Sequence, residues 1–330
     1  MEFEVSPFSR DHFEVVDGLN AESEEPSPFL TAPYMEAWDH CFSAEREKVS
    51  IFAREGGRIV GAGIFYRRTS PDCYFLLGGK SLSDRLGFAV KKGREEEFVR
   101  SLVRWMREEG EIPYPLVVNN LSGDWRQFRA FEEISREDGR ILINETDVAP
   151  RVDLPSTFEE YLQGLSKKDR HELRRKLRRC RDHLGEVQVV EGGRNGDLEN
   201  DLEEFVRLHR LSHPDKANFW RGRRREFFSL LARNFSRQGW LRLFFLFSPA
   251  VGGNVSALFV FDYNGDYLLY NSGFDPAFRK ASPGLAIVAE TIRTAIAEQK
   301  RRYDFLRGGE RYKFDLGGVP RSVFRVELVP

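Results

Sequence analysis

Residues 241–276, LRLFFLFSPAVGGNVSALFVFDYNGDYLLYNSGFDP, hold three strand-like runs in quick succession: Leu241–Phe247, Val255–Asp262 and Asp266–Gly273. The last two flank Asn264-Gly265, a pair that tolerates the positive φ angles of a two-residue hairpin turn. The three runs therefore form an antiparallel meander. Downstream, from Pro283 to about Gln299, Leu285, Val288, Ala289, Ile292, Ala295 and Ile296 fall on one stripe at helical spacing. Tyr303–Leu306 reads as one more strand and Val323–Val329 as a last one closing this half. A meander, a helix and further strands make an α/β layer structure.

Working outward, Thr157–Leu165 and Lys168–Leu184 read as helices, with Gly185 as a C-cap for the second. Val187–Val190 is a strand, and Leu198–His209 and Arg224–Ser236 are helices. Residues 1–150 have the same mixed character. Ala32–Cys41 is a helix, and Val49–Ala53 and Ile59–Arg67 are strands around Glu55-Gly56-Gly57. Tyr74–Leu77 is a strand, Glu95–Glu108 a helix, Leu116–Asn119 a strand and Phe128–Glu137 a helix. The expected organisation is two α/β domains, 1–150 and 151–330, with mixed, mainly antiparallel sheets flanked by helices.

Composition agrees with two packed cores, because 330 residues with 41% apolar content and 28 Phe supply enough buried surface. Lys+Arg 51 against Asp+Glu 52 nearly cancel, so any attraction to a polyanion is local rather than global. The three cysteines, Cys41, Cys73 and Cys180, show neither disulfide nor metal-site spacing and point to a reducing, cytoplasmic compartment. The mixed, acidic start MEFEVSPFSRDHFEVV is no signal peptide, and no apolar run is long enough to span a bilayer, which leaves peripheral membrane contact open.

Asp304–Lys313 reads DFLRGGERYK. It resembles the D-F-x-x-G-x-E-x-Y-K signature of the BioF2-like/CelD-like acetyltransferases of the GNAT superfamily, relatives of the Fem-type aminoacyltransferases. Three further stretches look like that family: Ser166–Arg179 (SKKDRHELRRKLRR), Gly273–Pro276 (GFDP) with Ser282–Gly284 (SPG), and Phe29–Trp38 (FLTAPYMEAW). The likeness runs from Phe29 to Lys313. It implies two tandem GNAT-like halves and transfer of an acyl group to an amine, with acyl-CoA as the usual donor. The catalytic half would be the C-terminal one and the N-terminal half a substrate platform.

The residues themselves bear on that chemistry. Ser282, Pro283 and Gly284 suit a capped helix start, with Ser accepting from orphan N–H groups, Pro at the first position and Gly admitting a ligand. Such a terminus offers N–H groups and a positive dipole end to a pyrophosphate, with Arg279 and Lys280 adding charge. An ordinary capped helix has the same signature. Glu310 is the expected base or ammonium anchor and Tyr312 the donor to the leaving sulfur, since aminolysis of a thioester needs both. Lys313 and Arg307 are expected to bind an acidic substrate group or a phosphate, although a structural turn held by ion pairs fits too. Asp304 fits a strand-end tie.

His209 closes the apolar face of its helix, a frequent structural position, while Leu208-His209 resembles a family dipeptide and places it among the catalytic candidates. His213 lies four residues on, but Pro214 interrupts and no third ligand is evident, so no metal is expected. Arg170, Arg174, Arg178 and Arg181 form a cationic stripe. Arg174 and Arg178 are expected to contact substrate, as a face for CoA phosphates, tRNA, anionic lipid or polysaccharide, with RGRRR at 221–225 as a second basic cluster; a solvated face is the alternative. Asp275 in the GFDP segment, and Asp84 in the family-like Ser83-Asp84, complete the expected substrate contacts, with the acceptor approaching from between the halves. The leading expectation is an acyl-CoA N-acyltransferase acting on a small-molecule or lipid-linked amine. A Fem-like aminoacyl-tRNA-dependent enzyme is the first alternative, and a non-catalytic binder of anionic polysaccharide or lipid the second.

Overall fold

A computed structural model describes residues 1–108, 115–192 and 197–329. The chain divides into two compact units, Met1–Val148 with Arg321–Pro330, and Ala149–Pro320. In chain order the first unit holds β1 (Glu2–Pro7), α1 (Asp11–Ala21), α2 (Ala32–Phe42), β2 (Lys48–Glu55), β3 (Arg58–Thr69) and β4 (Asp72–Leu76). It continues with β5 (Ala89–Val90), α3 (Glu95–Glu108), β6 (Leu116–Ser122), α4 (Arg126–Ser135) and β7 (Ile141–Val148). The second unit contains β8 (Arg151–Asp153), α5 (Phe158–Gly164), α6 (Lys167–Leu184), β9 (Gln188–Gly192), α7 (Leu198–Ser212), α8 (Pro214–Phe219) and α9 (Arg224–Arg237). There follow β10 (Leu241–Ser248), β11 (Gly253–Tyr263), β12 (Asp266–Phe274), α10 (Pro283–Ala297), β13 (Arg302–Asp304) and α11 (Arg311–Asp315); β14 (Ser322–Leu328) lies in the first unit.

The first sheet has the order β1-β2-β3-β4-β6-β14-β7, with β5 paired to β3, and the second β8-β13-β12-β11-β10-β9. β14, expected to close the second half, instead inserts antiparallel between β6 and β7. Strand propensity marks Val323–Val329 as β, but only the available edge partners decide which sheet receives it. β1, α1 and β7 were not read from sequence. β7 is partly exposed and polar (ILINETDV), and β1 alternates charged residues, so neither shows the apolar run that flags a strand.

In the second unit both faces of the sheet are covered, which explains why Leu243–Phe247 of β10 reads as an unbroken apolar run. On one face Phe244, Leu246, Leu258 and Val260 meet Ile287, Ile292 and Ile296 of α10 and Leu173 and Cys180 of α6. On the other, Phe205 of α7 and Phe228 and Phe235 of α9 pack edge-on against Phe259 and Phe261 of β11. Each fully buried ring of this kind contributes roughly 1.5–3 kcal/mol. The expected Asn264-Gly265 turn is present, with φ of 49° and 75°. Gly185 caps α6 at φ 72°, its N–H donating to Arg181 O at 2.9 Å.

The C-terminal end of α10 is tied to the sheet by charge. Arg242 of β10, its side chain 4% exposed, pairs with Glu298 at 2.8 Å and Asp262 at 3.3 Å, and Tyr267 Oη donates to Glu298 at 2.6 Å. Hydrogen bonding from Arg242 holds the Glu298 carboxyl down to about 2. Such a network favours one orientation of α10 over its competitors, because misplacing one partner leaves a buried charge unpaired.

α7 packs on β12 at Gly273. A Cβ on that residue would overlap the backbone N and Cα of His209 and stand 2.6 Å from Leu208 C. Gly273→Ala therefore forces helix and strand apart and is expected to cost about 2–3 kcal/mol, read as a lowered urea midpoint. A midpoint equal to that of the wild type would show that the close approach is not rigid.

Candidate active site

β12 and β13 run parallel, but they pair only over Asp266–Leu268 with Arg302–Asp304. β13 then ends while β12 continues to Phe274, so the far half of β12 has no strand on that side among the described residues. The DFLRGGERYK segment turns away at this point. The buried Asp304 carboxylate accepts from Leu306 N–H at 2.7 Å and holds Leu306 at φ 53°, the tie that the sequence suggested for it.

Lys313, 4% exposed, pins the rest of the turn. Its Nζ donates to Arg307 O at 2.9 Å and pairs with Glu310 Oε2 at 2.9 Å. A side chain at Gly308, whose φ is +121°, would overlap the Glu310 carboxylate, so the turn needs glycine there for both backbone angle and space. Lys313, expected to bind substrate, is spent inside the turn because a buried ammonium must be matched by acceptors. Arg307 is half-buried, its carbonyl being one of those acceptors.

Three chemically useful groups gather around Ser272 of β12. Lys216 Nζ of α8 donates to Ser272 O at 2.6 Å. The Tyr312 hydroxyl hydrogen-bonds the Ser272 side chain, and the charge of Glu310 acts on both Lys216 and Tyr312. Glu310 is 59% exposed in its side chain, so it remains open to solvent despite its contact with Lys313. Burial, reinforced by Glu310, pushes the Tyr312 phenol up, which keeps it a proton donor at neutral pH. Burial lowers the Lys216 ammonium while Glu310 opposes the shift. Lys216 was missed from sequence, because nothing in HPDKANFW separates it from a surface lysine.

His209 lies in the core as a buried, hydrogen-bonded imidazole rather than an open base. It is 2% exposed; Trp220 Nε1–H donates to its Nδ1 at 3.0 Å, and its Nε2 lies 3.1 Å from Asn271 Oδ1. An indole N–H can only donate, so Nδ1 carries the lone pair and Nε2 the proton given to Asn271. Both nitrogens are consumed, leaving no lone pair for an acceptor amine. Burial, seconded by the Lys216 charge, drives the imidazole down to about 3. His213 does not continue the helical face; its Nδ1 accepts from Asp215 N–H and starts α8. Among the described residues no group of three or more His, Cys, Asp or Glu is placed to hold a metal ion.

The start of α10 differs from the expected cap. Ser282 is left-handed, at φ 58° and ψ 44°, and its hydroxyl makes no capping hydrogen bond. The hydroxyl instead takes a hydrogen bond from Arg179 Nη2 of α6 at 2.5 Å. Pro283 and Gly284 occupy the first helical positions as read, and a Cβ on Gly284 would stand 3.3 Å from the Phe274 ring. The terminus thus joins the Gly284 N–H, a positive dipole end and a guanidinium, which together suit a phosphate group. Arg279 and Lys280 are exposed on the 3-10 turn Pro276–Ala281 just upstream. Asp275 caps that turn, accepting from Ala277 N–H at 2.9 Å. Arg179 was not singled out within the basic run, where the helical repeat alone does not say which arginine faces α10.

The cationic stripe is divided in use. Arg170 donates to the carbonyls of Leu162 and Gln163 at the end of α5, and Arg174 pairs with Glu159 at 3.3 Å. Arg178 and Arg181 are exposed. Asp84 lies in the first unit beside buried Ser83, whose hydroxyl donates to Gly78 O at 2.7 Å.

A sheet whose strands part beside a helix N-terminus able to hold phosphate, with carboxylate, phenol and amine at the parting, defines an acyl-transfer fold. Residues 167–314 match the family described as acetyltransferase (GNAT) domain. The matched GNAT domain lies within the second unit, which marks that unit as the acyltransferase part of the chain. No curated protein matches it by sequence. Its fold is similar to the crystal structure of FemX, at TM-score 0.67 and 10% identity over 99% of this chain and 97% of that one. It is also similar to L-PGS from Bacillus licheniformis, at 0.57 and 10% over 97% and 92%. A tandem GNAT protein from the clavulanic acid biosynthesis pathway aligns at 0.52 and 16% over 100% and 99%. These likenesses extend over both units, whose architecture is two tandem GNAT-like halves.

The imidazole of His209 is expected to stay neutral and unchanging in NMR spectra from pH 5 to 8. Because its pKa is depressed on folding, its contribution to stability is full above about 6.5 and is lost as pH falls toward about 3. A His209 inflection near 6.5 would return it to the list of catalytic bases.

Proposed function

We propose that this chain transfers an acyl group from acyl-CoA to an amine acceptor, with the second unit carrying the chemistry. The observation that bears most weight is the α10 N-terminus, where Arg179 is drawn to left-handed Ser282 beside Gly284. That arrangement suits the CoA pyrophosphate, with Arg279 and Lys280 adding longer-range charge. The thioester would then lie along the free half of β12 toward Ser272. Glu310 accepts the proton that the acceptor ammonium must lose before attack, and Tyr312 protonates the departing thiolate. Lys216, Arg307 and the exposed Arg178 are the cations proposed to meet an acidic or phosphorylated acceptor. No helix among the described residues is long and apolar enough to cross a membrane. A lipid-linked acceptor would therefore be met at the bilayer surface.

A second reading has a specific observation behind it: the exposed basic face of α6, in a fold similar to FemX. Under that reading the donor is an aminoacyl-tRNA, and the cationic face carries the RNA backbone.

Calorimetry separates the two. The wild-type chain is expected to bind CoA, and Gly284→Asp and Arg179→Gln each to weaken it at least tenfold with unchanged circular dichroism. Aspartate near a helix start is ordinarily favourable, so the loss would report repulsion of phosphate rather than unfolding. Absence of CoA binding, with tRNA binding that falls steeply with salt, would replace the first reading by the second.

Once a donor and acceptor are in hand, Tyr312→Phe is expected to lower kcat by about a hundredfold or more while KM for the donor stays put. Unchanged kcat would remove Tyr312 from the reaction.

A further inference from the structure

The first unit contains a cavity of ≈ 170 Å³ that the acyl-transfer reading does not use. Its wall includes Ser23, Glu24 and Glu25 from the segment after α1, Glu95 at the start of α3, and Asp124 and Trp125 ahead of α4. None of these belongs to the second unit.

Glu95 sets the problem. It is 5% exposed, and neither carboxylate oxygen accepts a hydrogen bond from any described residue. Arg129 on the same wall is exposed, while the acidic and amide neighbours are already committed. Glu24 pairs with Arg126 at 2.8 Å, and Asp124 with Arg321 at 3.3 Å. Glu25 is likewise engaged within the protein. The Gln127 amide is spent on the Phe88 backbone, at 3.0 Å and 2.7 Å. A buried carboxylate without donors is unfavourable, and a position in the first turn of α3 offsets only part of that. Donors for Glu95 can reach it through the cavity.

We infer that this cavity binds a small organic ammonium, with Glu95 accepting its N–H groups and Trp125 supplying an aromatic wall. A cation over an aromatic face gains from the ring quadrupole, most strongly for indole. An engineered cavity of about 150 Å³ holds benzene, so the space here suits an alkylammonium of about four to seven heavy atoms, far smaller than CoA. A bare metal ion is the poorer occupant, because no three acidic groups among the described residues converge on one point. This assignment does not rest on the choice of acyl donor.

The test is calorimetry on the full-length chain with n-butylammonium, against 1-butanol as its uncharged counterpart and against Ca²⁺ and Mg²⁺. Saturable binding of n-butylammonium alone is expected, weakened at least tenfold in Glu95→Gln, which keeps shape but removes charge. Ser23→Leu, which fills the cavity from its half-buried side, is expected to abolish binding with the core untouched, and it decides the matter if Glu95→Gln does not fold. Equal binding of 1-butanol, saturable binding of a divalent ion, wild-type affinity in the folded variants, or no binding of n-butylammonium would each overturn the proposal. Loss of CoA binding elsewhere in the chain would leave all of these readouts unaffected.

Discussion

The contact on which the second unit depends is the approach of the α7 backbone to β12 at Gly273, where no side chain fits between them. With that gap closed, His209 reaches Asn271 and accepts from Trp220, and α8 follows at once with Lys216 aimed at the Ser272 carbonyl. One face of β12 is thereby sealed by a helix. The far half of the same strand is left without a partner on its β13 side, since β13 stops at Asp304. That half of β12 presents a strand edge on this side.

The two ends of α10 are fixed by different physics. At its C-terminal end, buried Arg242 is matched by Glu298 and Asp262, so rotation of the helix would strand charge in a low-dielectric interior. At its N-terminal end, left-handed Ser282 departs from ordinary capping, and its hydroxyl accepts from Arg179. A rigid helix with an uncapped start next to a guanidinium is prepared for an anion. The apolar stripe between the ends holds the helix to the sheet.

The DFLRGGERYK turn shows how few of the residues in a motif need touch substrate. Asp304 holds Leu306, Lys313 gathers Arg307 and Glu310, and Gly308 makes room for their pairing. What this scaffold presents is Glu310 and Tyr312, one partly open to solvent and the other held protonated by burial. A motif of this kind is a small folded device, and its buried residues matter through the geometry of the exposed ones.

The sequence by itself determined the meander, its Asn264-Gly265 turn, the stripe of α10 and the acyltransferase resemblance, because these rest on local propensity, periodicity and short-range spacing. It also marked Asp304 as a strand-end tie, and Pro283 and Gly284 as a helix start. Tertiary structure alone decided that Val323–Val329 joins the first sheet, that His209 is neutral and fully bonded, and that Lys216 reaches the Ser272 carbonyl. The same holds for Arg179, rather than its neighbours in the basic run, as the arginine that faces Ser282. Each of these depends on which long-range partner occupies one side of a residue, and hence on burial and the direction of hydrogen bonds. Neither a period of two nor one of 3.6 carries that information.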